Sequence, residues 1–471
     1  MIKARARPAS IPDDCLLEPI AAMWPDWMRQ LDRVLDDEQL VESVYEALQR
    51  RHPRSRTRGR RGTPAEVVLR MLVLKHLRNW TFETTAWEVR TNLVYRQFAR
   101  VGANKVPDDK TLARQALALG PEVIAKIQQR LAGIARENGV VSGRKLRVDT
   151  TVVETNIHYP TDSSLLGDGV RVLTRIMKRV VEVAGGAGTK LRDRSRSVKL
   201  RVLEIARASR SKSQQGQQRM QKLYARLLDA SGRVACQAQQ FADEIASGVK
   251  HSADVLEQAA LEGMKKELET MRARVKQVRR QTRARIFGGD THVEGKLVSV
   301  FEHTTEIIRR GKARQPTEFG KMIKVQEAEG QFIVGYEVFD KRPADSDLLV
   351  PAIAMHQQRL GRVPELVAGD AAFYSAKGEK AAHEMGVKHV SVPNRSSKSK
   401  DRIALQKTRW FKSGQKWRTG CEGRISVLKR RHGLNRCRYR GDAGMKRWVG
   451  LAVIADNLIS IGRALARTGA T

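Results

Sequence analysis

Apolar positions recur every three or four residues over most of the chain and alternate every second residue in only a few places, a pattern of many helices around a small sheet. Over residues 15–50, Leu31, Val34, Leu35, Leu40, Val44 and Leu48 keep the helical spacing. Thr63-Pro64-Ala65-Glu66 supplies a capping hydroxyl, a proline at the first helical position and a glutamate three residues after the cap. That order predicts a capping box opening a helix through Val67, Val68, Leu69, Met71, Leu72, Leu74 and Leu77. Short helices are expected over 82–91 and 93–100, and Pro107–Thr111 restarts a helix carrying Leu112, Ala113 and Leu117. Residues 63–140 thus read as a compact all-helical unit.

Period-two patterning first appears at Leu146–Val153, a β-branched stretch that predicts a strand with Asp149 on the face opposite Val148, Thr150 and Val152. Strand signals return at Leu297–Glu302, Lys321–Gln326 and Phe332–Phe339, the last two joined as a hairpin through Glu327–Gly330. A helix capped by Asp345 or Asp347 is expected to carry Leu348, Leu349, Ile353 and Met355. Glu365–Gly369 reads as a short buried strand ending in Asp370, and His389–Val392 as another. Strands alternating with helices after a hairpin imply a mixed sheet with helices on its faces. Met445–Leu465 reads as an apolar helix closing the core. Between these parts, residues 170–285 contain no proline and are rich in Arg, Lys, Gln, Ala and Leu. They predict long charged helices with a break near Gly185–Gly188, most simply a solvated antiparallel pair, with a charge suited to DNA or to a second copy of the chain. The glycines there do not meet the phosphate-loop spacing.

The 471 residues suffice for two to four folding units, and 41% hydrophobic with 30% charged residues excludes a disordered tail or a membrane bundle. The uncharged apolar stretch Val449–Ala455 is far shorter than the roughly 18 residues of a membrane span. No apolar run follows the basic first residues, so a cytoplasmic, nucleoid-associated protein is expected. Charge changes the picture most. Lys and Arg number 88 against 51 Asp and Glu, a net +37, which a compact protein carries best beside a polyanion. Nucleic acid suits this better than ribosomal packing or an anionic membrane, and with only 5% aromatic residues phosphate contacts should outweigh base stacking. Residues 50–61 hold seven arginines and no apolar residue, either a solvated hinge or an arm that follows phosphates. Cys15, Cys236, Cys421 and Cys437 form no C-x-x-C pair, and the two that flank His432 match no zinc module; they read as buried or idle thiols.

In so basic a chain three acids stand out: Asp149 in the first strand, Asp370 ending a later one, and Glu422 on a helix within residues 395–440, which hold 16 Lys and Arg against two acids. Carboxylates that converge repel one another by several kcal/mol in a partly dry site unless cations lie between them. Two magnesium ions about 4 Å apart would clamp the attacking and leaving oxygens of a phosphoryl transfer. Arg418 and Lys429 fall within about 40° of Glu422 on the helical wheel. Glu154, Asp162 and Asp168 are expected in the loop after the first strand, away from any metal. Trp410 and Trp417 read as core residues, with stacking on an unpaired base as the alternative.

These residues resemble the bacterial insertion-sequence transposases with an RNase H-like Asp-Asp-Glu domain. Four stretches carry the resemblance: Arg147–Val153 around the first acid; Gly369-Asp370-Ala371-Ala372-Phe373-Tyr374-Ser375; Arg418, Glu422 and Lys429 in the spacing Arg-x3-Glu-x6-Lys; and Val106–Arg114, similar to the Pro-Asp-x-x-Thr-Leu-x-Arg start of the family's catalytic domain. Two features depart from the family: Gln415 stands where the signature has tyrosine, and the large insertion lies between the two aspartates. The resemblance implies an α/β catalytic core, an RNase H-like mixed sheet flanked by helices, with an all-α N-terminal domain and a long helical insertion. The expected division is an N-terminal helical segment and basic arm (1–62), a helical DNA-binding domain (63–140), the first part of the catalytic domain (141–169), the insertion (170–290) and the remainder (291–471). Asp149, Asp370 and Glu422 would be catalytic and would hold two Mg2+, or Mn2+, ions. Arg418, Lys429, Arg430 and Arg431 would contact double-stranded DNA, the element ends and target, within a homodimer. The expected activity is metal-dependent DNA cleavage and strand transfer; a catalytically inactive DNA-binding protein and a nuclease without strand transfer are the alternatives.

Overall fold

The computed structural model describes residues 2–6, 22–51, 62–211, 213–309 and 316–468. Cys15 and most of the arginine-rich stretch 50–61 lie outside the described residues. Two compact units emerge, residues 1–156 with 308–471, and residues 157–307.

The first unit is built on a mixed sheet. Its central strand β1 (Lys145–Glu154) pairs antiparallel with a long strand at Thr317–Glu327 and parallel with one at Leu366–Ala368, which in turn pairs parallel with His389–Ser391. Numbered in chain order, with β2 at Glu306–Arg309 and β4 at Ile333–Val338, these are β3, β5 and β6; the hairpin expected at 321–339 is β3–β4. No strand forms over Leu297–Glu302. There the Ser299 hydroxyl accepts the amides of Phe301 and Glu302, turning the chain, while Val300 is fully buried against helices.

The helices of residues 22–137 are α1 (Asp26–Val34), α2 (Glu38–Gln49), α3 (Ala65–Leu77), α4 (Phe82–Thr91), α5 (Leu93–Phe98), α6 (Asp109–Ala118) and α7 (Pro121–Glu137). They do not close a core of their own. Leu31, Val68, Leu72, Ile124 and Leu131 join Ile454, Leu458 and Ile461 of the last helix, at Gly441–Thr468, in one cluster. That last helix is long and apolar enough to cross a membrane by length and composition, yet it is mostly buried inside the unit. The capping box expected at Thr63 is absent. Pro64 caps α3 without a side-chain bond, the first helical amides donate to the carbonyls of Lys3 and Ala4, and Glu66 turns instead to Arg70 and the Ala6 amide.

The second unit holds α8 (Asp162–Ala184), α9 (Ser195–Ala208), α10 (Gln214–Ala246) and α11 (Val255–Gly288). These are four helices rather than a solvated pair. Leu166, Leu173, Met177, Leu227, Phe241, Leu268 and Val275 close a core, because each helix keeps an apolar stripe among its charges. The break at the glycines is real: Gly185 and Gly188 take φ of 70° and 73°. The first helix begins earlier than the pattern suggested. Asp162 and Asp168 therefore lie on α8 and not in a loop; buried Asp162 pairs with Arg285, and Asp168 with Arg171.

The remaining helices of the first unit are α12 (Leu349–Leu360), α13 (Ala376–Glu384), α14 (Lys400–Lys407), α15 (Arg409–Arg431) and α16, the Gly441–Thr468 helix. The expected aspartate cap of α12 does not form. Leu348 occupies that position, and Asp345 instead accepts the Thr150 hydroxyl at 3.1 Å.

Candidate active site

Strand register brings the first two acids together. Along the parallel β1–β5 pair, Lys145 stands opposite Leu366, Leu146 opposite Val367 and Arg147 opposite Ala368. Two residues beyond the last pair come Asp149 on β1 and Asp370 just past the end of β5, near enough for the Asp370 charge to act on Asp149. Asp370, two residues past its strand, caps a short turn by accepting the Ala372 amide at 3.0 Å. Asp149 accepts its neighbour's amide, Thr150 N, at 2.7 Å. Burial pushes the Asp149 carboxyl up to about 6, Asp370 and Glu422 add to that shift, and the Thr150 amide and Arg418 oppose it.

The third acid arrives on α15, which lies across β1, β5 and β6. Gln415 fastens this helix to the strand ends: its Nε2 donates to the Gly369 carbonyl at 3.2 Å, beside Asp370, and also to the Ser391 carbonyl. The residue that departs from the tyrosine of the signature therefore serves as a backbone anchor. One turn on, Arg418 reaches Glu422 at 2.7 Å and Asp149 at 3.6 Å, a guanidinium bridging two of the three carboxylates. Glu422 is exposed, whereas Asp149 and Arg418 are largely covered.

Beneath these groups lies a buried ionic network that sequence reasoning missed. Arg147 donates to both oxygens of Glu327, at 2.9 and 2.6 Å, and lies over the Trp417 ring. Arg424 reaches Glu327 at 3.6 Å and grips Asp456 at 3.0 and 2.9 Å, joining β1, β3, α15 and α16. Gly420 makes this possible, since a Cβ there would collide with the Arg147 guanidinium. Arg147 and Arg424 each stand two residues from a candidate acid. A charged residue inside an apolar strand was the available signal, because a buried charge requires a partner.

Lys429 follows Glu422 on the same face and is half-buried; Arg430 and Arg431 are exposed. Arg431 lines a separate cleft of about 680 Å³ beside Arg463 and Arg467. Trp410 and Trp417 are half-buried at the sheet rather than in a core cluster, Trp410 against His389 at 4.6 Å. Cys421 and Cys437 are buried as expected, and Cys236 is exposed. Among the described residues, no three acids, histidines or cysteines stand close enough to hold a metal ion. The donor chemistry nevertheless suits a hard divalent cation: three carboxylates, one of them raised by burial and, to a lesser degree, by the other two. In this structure Glu422 is engaged by Arg418.

Residues 22–116 match the family model of a transposase domain, DUF772, and residues 377–461 match that of a transposase DDE domain. The chain carries the domains of an insertion-sequence DDE transposase. The DDE match contains Arg418, Glu422 and Lys429 of the transposase, while Asp149 and Asp370 precede it. Neither a curated protein nor a solved structure matches the chain.

Proposed function

We propose that this transposase binds the ends of its insertion sequence, cleaves the DNA and joins the freed ends to a target, with Asp149, Asp370 and Glu422 as its catalytic carboxylates on an RNase H-like core. The observation that carries the reading is the β1–β5 register, which sets Asp149 beside Asp370 under the helix that bears Glu422. Divalent cations, Mg2+ or Mn2+ and two in number, would neutralise the three carboxylates and activate first a water and then the 3′-hydroxyl at the scissile phosphate. The chain's own groups do the rest. Arg418 and Lys429 on the same face hold phosphates beside the carboxylates, and Arg430 and Arg431 extend the basic surface. Gln415 and the Arg147–Glu327–Arg424–Asp456 network keep the acids from drifting apart. Two ends must be joined, so the working unit is a homodimer on double-stranded DNA, acting in the cytoplasm at the nucleoid.

Asp149→Asn, Asp370→Asn and Glu422→Gln should each abolish magnesium-dependent end cleavage while leaving DNA binding intact. Cleavage that survives all three would refute the assignment. Binding without any magnesium-dependent nicking by the unaltered protein would make it a non-catalytic DNA-binding protein, and cleavage without joining a nuclease.

A further inference from the structure

The second unit carries a cleft of about 1120 Å³ that the catalytic reading does not use. Its lining gathers cations from three separate parts of the chain: Lys190, Arg192 and Arg194 from the segment between α8 and α9, Arg233 from α10, and Arg279 and Arg283 from α11. The acid lining it, Asp229, pairs with Arg233 at 3.0 Å. Like charges do not collect in one concavity without cost, and here that cost is visible. Burial and the neighbouring Arg283 lower the proton affinity of Arg279, whose Nε is buried with no hydrogen-bond partner.

The cleft is also built rather than loose. The Thr189 amide donates to Glu244 at 2.8 Å, the Arg192 amide to Gln237 at 3.3 Å, and Gln237 in turn donates to the Lys190 carbonyl at 2.8 Å. Three bonds thus fasten the segment with Lys190, Arg192 and Arg194 to α10. At the floor, Gly232 of α10 lets the Arg279 guanidinium lie against the helix, where a Cβ would meet Nη2 at 2.5 Å. A backbone segment held in place before the ligand arrives spends less ordering entropy on binding it, leaving mainly the side chains to be ordered.

We infer that this cleft of the helical insertion is a second DNA-binding site, taking the phosphate backbone of DNA through its lysine and arginine side chains. The ligand must be a polyanion because up to six cations face one open groove with a single, already paired, acid among them. Backbone rather than base recognition follows from the lining, which offers point charges and guanidinium forks suited to phosphate. The inference rests on the reading of the chain as a DNA-handling protein but not on its carboxylates.

The full-length chain supplies its own probe, since Cys236 lies exposed in the cleft. Alkylation of Cys236, followed peptide by peptide with mass spectrometry, should slow severalfold when saturating DNA is added. Duplex and single-stranded oligonucleotides of equal length form the two arms and identify which form of the backbone the groove takes. Lys190→Ala, Arg192→Ala, Arg194→Ala and Arg283→Ala combined should weaken DNA binding and make its log–log salt slope shallower by about one per cation removed. Lysine at the three arginine positions should restore both. Cys236 alkylated at the same rate with and without either DNA overturns the inference, whether or not the alanine variant folds; so does a folded alanine variant with unchanged affinity and slope. Cys236 protected in an Asp149→Asn chain separates the two proposals: the cleft can then stand if the catalytic assignment falls, and the reverse.

Discussion

Glu327→Gln keeps the shape of the side chain and removes the anion between Arg147 and Arg424. Glu327 is fully buried, Arg147 holds its two oxygens at 2.9 and 2.6 Å, and Arg424 stands 3.6 Å away. After the change two guanidinium groups face each other with one carboxylate fewer, and Asp456, shared by Arg424 and His432, is the remaining anion. Stranding a buried charge costs about 3–5 kcal/mol, and the amide oxygen still accepts one bond from Arg147, so the lower end, about 3 kcal/mol, is expected. For a unit of this size that is a fall of about 4–5 °C in melting temperature, readable by calorimetry or circular dichroism. End cleavage should fall as well, since the network ties β1 to α15 two residues from Asp149 and from Glu422. Combining Glu327→Gln with Arg147→Met should cost less than the sum of the two single changes, because they share one interaction. A Glu327→Gln protein that melts within about 1 °C of the original would refute the idea that this network holds the site together.

Other perturbations follow from the same packing. Gly420→Ala puts a methyl against the Arg147 guanidinium and should reduce cleavage more than DNA binding; unchanged cleavage would mean that the helix shifts freely. Lys75 is 2% exposed, its ammonium 4.8 Å from the Phe82 ring and 4.9 Å from Trp448. Burial, with Arg438 adding, lowers its pKa from 10.5 to about 7, while Cys437 opposes. Between those values the unfolded chain holds a proton that the folded chain has lost, so stability rises with pH from about 7 to about 10.5, and the full penalty is present below about 7. Lys75→Met should therefore melt higher than the original near pH 6, with the gap closing toward pH 10; a gap that does not change with pH would show that the aromatic rings compensate the buried charge.

Local pattern determined much of this protein. The alternation at Leu146–Val153, the hairpin at 321–339, the apolar run of α16 and the glycine break after α8 are encoded in neighbouring residues, because side-chain period and turn chemistry act over a few positions. The spacing of Arg418, Glu422 and Lys429 put the three on one helical face, since a helix has a single pitch. Charge pattern alone misjudged the insertion, where apolar stripes among the charges close a core of four helices. Tertiary structure decided what depends on partners distant in sequence. Glu66 left its cap for Arg70, and Asp345 left its helix for Thr150, because a polar side chain goes to the best donor within reach and not to the nearest in sequence. Asp149 meets Asp370 through a parallel pairing across more than two hundred residues, a register no local period encodes. The buried Arg147–Glu327–Arg424–Asp456 network and the basic cleft of the insertion arise the same way: each member is an ordinary charged residue until folding brings its neighbours to it.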